Sequence, residues 1–320
     1  MGVAWNVKCV ILGGGGFIGS SVADRLLLDG HSVRIFERPG IQPYREFGSN
    51  ETIQWMSGDL LSVHDVEDAL KGTDMVVHAA TTTLPKSSND DPVYDVRSNL
   101  VAAIQILNAM VKLGVPKIIF LSSGGTIYGA PKYLPIDEAH PTDPIVSMGI
   151  NKLAVEKYIL MYRHLHGITP VILRVSNAYG QRQRVDAVQG AVAVFMHRAT
   201  HGLPIDIWGD GSAIRDFVYV GDLADALARS AHYTGRECVF NVGSGVGTAL
   251  RALIALIEQV LDRRIERRYL PARDFDVREN VLSSALIARE MGWKPEVQLH
   301  DGLKQTAKWI QQAPHAPLSR

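Results

Sequence analysis

Cysteine, net charge and long apolar runs are all scarce in this 320-residue chain. Cys9 and Cys238 are too few for a disulfide framework at this size, and no Cys/His cluster has zinc spacing. A reducing, cytoplasmic setting is the expectation. The 33 basic and 33 acidic side chains cancel, which excludes a polycationic nucleic-acid binder. No run reaches the roughly 18 apolar residues of a spanning helix. Met1 to Val7 shows no charged segment leading into a long apolar core. Neither a membrane nor a secretory signal is expected. No His-Glu-x-x-His pattern occurs among the eleven histidines, so no metal is expected; His164 and His166 close a helical pattern and should face solvent. What is abundant is glycine, 29 residues, and a 46% hydrophobic content that can furnish the core of one large domain or two.

Short Val- and Ile-rich runs at Val7–Leu12, Ser32–Glu37, Met75–Ala79, Lys117–Ser122 and Thr169–Val175 read as buried strands. Amphipathic segments separate them: Ile18, Val22 and Leu26 make one stripe, and Leu100, Ile104, Leu107 and Val111 another. That alternation predicts an α/β fold, a doubly wound parallel (Rossmann) sheet covered by helices on both faces. Beyond Gly180 the pattern changes to short pieces such as Pro204–Trp208, Gly-rich turns, and a helix face at Leu250, Leu253, Ile254, Ile257 and Leu261. The expected division is a cofactor domain over 1–178, with a return segment at about 216–243, and a smaller mixed α/β substrate domain over 179–320.

The first strand runs into Gly13-Gly14-Gly15-Gly16-Phe17-Ile18-Gly19, where Gly13, Gly16 and Gly19 give Gly-x-x-Gly-x-x-Gly spacing. Glycine there permits the turn, the close approach of backbone to a pyrophosphate, and tight packing of the next helix. The amides of the helix start, at Phe17 and Ile18, then face the negative charge. Glu37 ends the second strand, 24 residues after Gly13. A carboxylate there suits ribose hydroxyls and repels a 2′-phosphate, favouring NAD over NADP; neighbouring Arg38 suits the phosphate instead.

With these features the chain resembles the extended short-chain dehydrogenase/reductase family, and within it the NAD-dependent sugar-nucleotide epimerases and dehydratases. The resemblance covers nearly the whole chain. Beyond the glycine loop it rests on Asp59-Leu60, His78-Ala79-Ala80, Asn99 and the stretch from Leu121 through Ser122, Ser123, Gly124 and Thr126 to Tyr128-Gly129. Arg174, Asn177, Tyr179 and Gly180 match a loop that in the family contacts nicotinamide and substrate. Trp208-Gly209-Asp210-Gly211, Arg215-Asp216-Phe217-Val218-Tyr219-Val220 and Asn241-Val242-Gly243-Ser244-Gly245 match its C-terminal motifs. The resemblance implies NAD contacts from Gly13, Gly16, Phe17, Ile18, Gly19, Glu37, Asp59, Leu60, Ala79, Ala80, Asn99, Ser122 and Lys152. It implies a UDP-, dTDP- or GDP-linked sugar as substrate, with Thr126 touching the sugar and Asn177, Arg215 and Arg273 serving the diphosphate. It also implies a homodimer built on two helices corresponding to Val96–Lys112 and Asn151–Leu165.

One position departs. The family's signature is Tyr-x-x-x-Lys, and here Ser147-Met148-Gly149-Ile150-Asn151-Lys152 keeps Lys152 but sets Met148 at the tyrosine. Gly124 stands where many members carry the tyrosine's hydroxyl partner, leaving Ser123 and Thr126 as nearby hydroxyls. In the family that phenol takes a proton from a sugar hydroxyl; a thioether neither titrates nor accepts a hydrogen bond well. The catalytic candidates are thus Lys152, Thr126, Ser123 and the substituted Met148. Two readings follow: NAD-dependent epimerisation, dehydration or keto-sugar reduction through an altered site, or binding of NAD and sugar nucleotide with catalysis lost or much reduced. A reductase of a small carbonyl compound is a third, against which Arg215 and Arg273 argue. The run Arg263–Arg268 reads as a solvated helix end or strand edge.

Overall fold

The computed structural model of the chain describes residues 6–184, 190–272 and 277–312. They form two compact units, Met1–Ile127 with Pro144–Arg174 and Ala224–Phe240, and Tyr128–Asp143 with Val175–Leu223 and Asn241–Arg320.

The first unit is organised by a seven-stranded sheet. Its strands are β1 (Lys8–Leu12), β2 (Ser32–Glu37), β3 (Ile53–Ser57), β4 (Met75–His78), β5 (Lys117–Ser123), β6 (Thr169–Val175) and a last one at Val239–Val242. Their order is Val239–Val242, β6, β5, β4, β1, β2, β3. Parallel pairing joins β1 to both β2 and β4, β2 to β3, and β4 to β5. Val10, Ile11, Leu12, Val76, Val77, Ile118 and Ile119 are all essentially inaccessible. That is the burial a sheet with both faces covered demands, and it explains the uninterrupted apolar runs.

Strand β3 escapes the sequence pattern because it lies at the sheet's edge, where Ile53, Trp55 and Met56 are only partly buried. An edge strand has one neighbour and needs fewer apolar residues. The expected strand at Met75–Ala79 ends one residue earlier, at His78, and that at Lys117–Ser122 one later, at Ser123.

The helices of this unit include α1 (Phe17–Leu28), α2 (Val63–Leu70), α3 (Pro85–Asp90), α4 (Pro92–Asp95), α5 (Ala102–Leu113) and α6 (Ser147–His166), with a π-helical turn, Val96–Val101, between α4 and α5. Helices α2, α5 and α6 contribute Val66, Leu70, Ile106, Leu107, Met110, Val155 and Ile159 to one apolar cluster with β1, β4 and β5. Chain order reverses at β1, which has β2 on one side and β4 on the other. Ligands of open α/β sheets bind at the carboxyl ends of strands beside such a reversal. Here those ends are Gly13 and the segment after His78.

The second unit carries short strands. Ile214–Tyr219 lies between Gly247–Ala249 and Glu279–Asn280 and also pairs with Asn177–Tyr179. Ile205–Trp208 pairs in parallel with Arg267–Leu270. The helix face anticipated from Leu250 to Leu261 is present over that span. Exposed Arg264 and partly buried Arg267 pair with Glu258, as a solvated helix end and strand edge would. His164 and His166 are exposed in the last turn of α6. No described helix is long and apolar enough to cross a membrane.

Candidate active site

Gly13 has φ +83°, and a Cβ on it would lie 2.8 Å from Ala80 Cα. A Cβ on Gly19 would collide with the Gly13 carbonyl oxygen. Helix α1 is capped by Gly16 with no side-chain hydrogen bond and has no acidic residue in its first turn. The amides of Phe17, Ile18 and Gly19, which have no acceptor within the helix, are thereby left for an anion. Glu37 folds back over this loop: Oε2 accepts from Gly15 N at 3.2 Å and Oε1 from Arg38 N at 3.0 Å. A carboxylate there meets a ribose diol well and a 2′-phosphate badly, so the residues present fit NAD. Asp59 Oδ1 accepts from Leu61 N at 2.9 Å, and Leu60 packs partly against the core. Gly19→Ala is expected to weaken NAD affinity by roughly tenfold or more in isothermal titration, because the methyl forces the loop open.

The other half of the site is set by α6. Its cap residue, Val146, has no side-chain hydrogen bond, so its first amides find partners from α3: Ser147 N donates to Asn89 Oδ1 at 2.9 Å and Met148 N to Ser88 Oγ at 3.1 Å. Gly149 lets the helix press on the loop after β5, since a Cβ there would stand 2.5 Å from the Thr126 carbonyl oxygen. Asp95, at the end of α4 and 1% exposed, accepts four hydrogen bonds. Thr83 Oγ1 and Asn99 Nδ2 reach Oδ1 at 2.5 and 2.8 Å, and Ser147 Oγ and Asn151 Nδ2 reach Oδ2 at 2.8 and 2.6 Å.

These residues enclose a cavity lined by His78, Asp95, Asn99, Met148, Asn151 and Lys152, with Ala80 at its wall. Lys152 Nζ donates to Leu121 O at 2.8 Å and stands 4.8 Å from the centre of the Phe120 ring. Burial pulls its pKa down to about 8, against the opposing pull of the Glu156 and Asp95 charges. Burial, with help from the Lys152 charge, holds His78 down to about 3, so its imidazole is neutral near pH 7. Its Nδ1 is buried without a partner.

Of the residues anticipated from sequence, Ala80, Asn99, Met148 and Lys152 line this cavity together. Asn99 spends its amide on Asp95 and on Thr82, whose N donates to its Oδ1 at 3.1 Å. Ser122 Oγ donates to Glu156 Oε1 at 2.6 Å and is buried in that contact. Thr126 Oγ1 is buried with no partner, and neither Thr126 nor Ser123 is part of the cavity lining. Arg174 does not present itself to a ligand as the resemblance implied. Its guanidinium is buried against Glu156, Nη2 to Oε2 at 2.7 Å and Nε to Oε1 at 3.1 Å, because a desolvated cation requires a carboxylate fork.

In the second unit, Asn177 Nδ2 donates to Asp216 O at 3.2 Å and Arg215 Nη1 to Ile214 O at 2.9 Å. Buried Asp216 fixes that strand, taking Ser244 N at 2.7 Å and Gly245 N and Leu282 N at 3.2 Å. Arg273 lies outside the described residues. Sequence reasoning overlooked Asp95, Ser88 and Asn89. Asp95 had a legible signal: it precedes Asn99 by four residues, the spacing of one helical face. Among the described residues no three His, Cys, Asp or Glu side chains gather to hold a metal ion.

Comparison with known proteins places this geometry. Residues 9–243 match the NAD dependent epimerase/dehydratase family. A putative UDP-glucose 4-epimerase of Methanocaldococcus jannaschii is 34% identical, with 94% of this chain and 97% of that protein covered. A dTDP-4-dehydro-6-deoxyglucose reductase of Escherichia coli is 31% identical over 94% of this chain and 96% of its own. The crystal structure of UDP-glucose 4-epimerase from Thermotoga maritima, with UDP-glucose, superposes with a TM-score of 0.90 at 31% identity, covering 95% of this chain and 99% of that one. The glycine cradle, the lysine-bearing helix and these likenesses agree: the chain belongs to the NAD-dependent epimerase/dehydratase family.

Proposed function

We propose that this chain reduces a ketone on a nucleotide-linked sugar. The observation that carries the reading is the pairing of Met148 with Lys152 in one cavity. Oxidising a sugar alcohol requires a base to take the hydroxyl proton, and Met148 cannot take it. Reducing a ketone requires only a proton donor. With a pKa of about 8, Lys152 is about nine-tenths ammonium at pH 7, so the donor outnumbers the free amine about tenfold.

NAD in its reduced form, when bound, supplies the hydride to the carbonyl carbon. Lys152 Nζ gives its proton to the carbonyl oxygen as the C–O π bond breaks, and solvent returns a proton to the amine. Leu121 O fixes the ammonium's direction through one of its three N–H bonds. Gly13, Gly16, Phe17, Ile18, Gly19, Glu37, Asp59, Leu60, Ala79, Ala80, Asn99 and Ser122 are assigned to holding the cofactor. Thr126 is assigned to the sugar, which its partnerless hydroxyl supports, and Ser123 stays with it among the catalytic candidates. Asn177, Arg215 and Arg273, all but Asn177 within 179–320, are assigned to the diphosphate.

A homodimer belongs to the same reading. Val96 and Val101 beside α5, and Ile150, Tyr158, Met161 and Leu165 on α6, are exposed apolar side chains that a second copy would cover. Cys9 and Cys238, both unpaired and buried, suit a reducing, cytoplasmic setting.

The test incubates the protein with NAD or NADH and UDP-, dTDP- and GDP-linked sugars and 4-keto sugars, following the sugar by NMR. A new alcohol in a keto-sugar arm supports the proposal. Tight binding without change in any arm supports the alternative, a binding protein that has lost turnover. Met148→Tyr places a phenol beside Lys152 and should raise alcohol oxidation by about 10²-fold. An unchanged rate would put that position outside the proton path.

A further inference from the structure

The neighbourhood of Lys152 has an unbalanced charge. Beside neutral Thr81 and Asn99 of the cavity lining, β4, β5, α4 and α6 itself supply the groups around the ammonium. From β4 comes His78, neutral near pH 7. From β5 come the Phe120 ring and the Leu121 carbonyl, neither titratable. One turn along α6 lies Glu156, whose charge is the larger of the two that hold the ammonium up, though its two oxygens are also taken by buried Arg174, at 2.7 Å, and by Ser122. From α4 comes Asp95, whose four hydrogen-bond partners, Thr83, Asn99, Ser147 and Asn151, are all neutral. Among the described residues, Asp95 is therefore the carboxylate in the cavity wall with no cation bonded to it.

We propose that Asp95 is a positioning residue for the proton donor, in two linked ways. Through Ser147 and Asn151 it clamps the first turn of α6, the turn carrying Met148 and leading into Lys152. Through its charge it keeps the Lys152 ammonium protonated in a wall that lacks the family's phenol. Asp95 touches neither sugar nor cofactor in this account. It acts through Lys152.

The magnitudes support this order of effects. An opposite charge within a few ångströms of a partly buried group moves its titration by about one to three pH units. Removing the Asp95 charge from the wall takes away one of the two charges that oppose burial and leaves Glu156, already bonded to Arg174, as the other. The Lys152 midpoint then falls, and with it the fraction of donor present near neutrality. A drop of about one unit cuts that fraction roughly threefold at pH 7.5. The inference rests on Lys152 as proton donor only for its kinetic consequence, because the charge on the amine can be read without any turnover.

The experiment compares the wild type with Asp95→Asn, and with Asp95→Ser should the amide variant not fold. Competitive amine acetylation across pH 6 to 11, with the Lys152 peptide quantified by mass spectrometry, gives the Lys152 midpoint in the protein without cofactor. The expected result is a midpoint lowered by about one pH unit in the neutral variants, with the alkaline limb of the rate profile shifting by the same amount. Ser147→Ala, which loosens the clamp but keeps the charge, should leave the midpoint in place. An unchanged midpoint in a folded neutral variant would overturn the proposal, whatever happens to the rate. A shifted midpoint with no turnover on any sugar would instead uphold the charge assignment and remove the reductase reading.

Discussion

Lys152→Met is expected to slow ketone reduction by roughly 10²- to 10⁴-fold, the worth of a positioned general acid. Methionine keeps the apolar stem that packs in the cavity wall and deletes the three N–H donors, so the loss reports proton transfer more than packing. Leu121 O loses a donor, a smaller effect that should appear in stability. The sign of the pH dependence follows from the group's role. A donor is competent while protonated, and with the pKa pulled to about 8 by burial the wild-type rate should be level below that pH. Above it the rate should fall about tenfold per unit. The variant should show neither the rate nor the limb. Stopped-flow NADH absorbance over pH 6 to 10 reads both. A variant within a few-fold of wild type would remove Lys152 from the proton path.

Glu156→Ala is expected to cost about 3–5 kcal/mol of stability, the usual result of stripping one partner from a buried ion pair. The side chains of Arg174 and Glu156 are 7% and 2% exposed, so the remaining guanidinium has no water to turn to. Ser122 loses its acceptor as well. The pair ties α6 to β5 and β6, hence the lysine-bearing helix to the sheet. Chemical denaturation with the slope held common to both proteins should show the lower midpoint. The double variant Glu156→Leu with Arg174→Met should recover much of the loss, because a volume-matched apolar pair carries no desolvation cost. If the single variant unfolds at the wild-type midpoint, the pair is not structural.

Much of this molecule was legible in the sequence, and what was missed has a physical reason. Ser32–Glu37 and Thr169–Val175 were delimited at the residues where the strands begin and end, because doubly covered strands write themselves as unbroken apolar runs. The glycine loop was legible for a similar reason: at Gly19 backbone fills the space a side chain would take. Strand β3 was not, since an edge strand is satisfied with half-buried residues such as Trp55 and Met56 beside exposed Gln54 and Ser57. Met148 was recognised as the departure from Tyr-x-x-x-Lys, and the structure sets it in the same cavity as Lys152. Asp95 went unnoticed because an aspartate before a helix reads as a surface residue. Only the fold reveals that Ser147 and Asn151, about fifty residues later, converge on it. Arg174 was misjudged in the opposite direction. An arginine at a strand end resembles a ligand contact, and its commitment to Glu156 is a tertiary fact.

In the proposed function, a site with Met148 in place of a phenol donates a proton to a ketone rather than removing one from an alcohol. The stoichiometry of cofactor tests it most directly. With a nucleotide-linked 4-keto sugar and NADH deuterated at the transferred position, the account predicts one NADH consumed per sugar converted. The deuterium should appear on the carbon that becomes the alcohol. Conversion of a nucleotide sugar with no net consumption of NADH would contradict it, because that is the signature of transient oxidation and return at a carbon, which needs a base for the hydroxyl proton where Met148 stands.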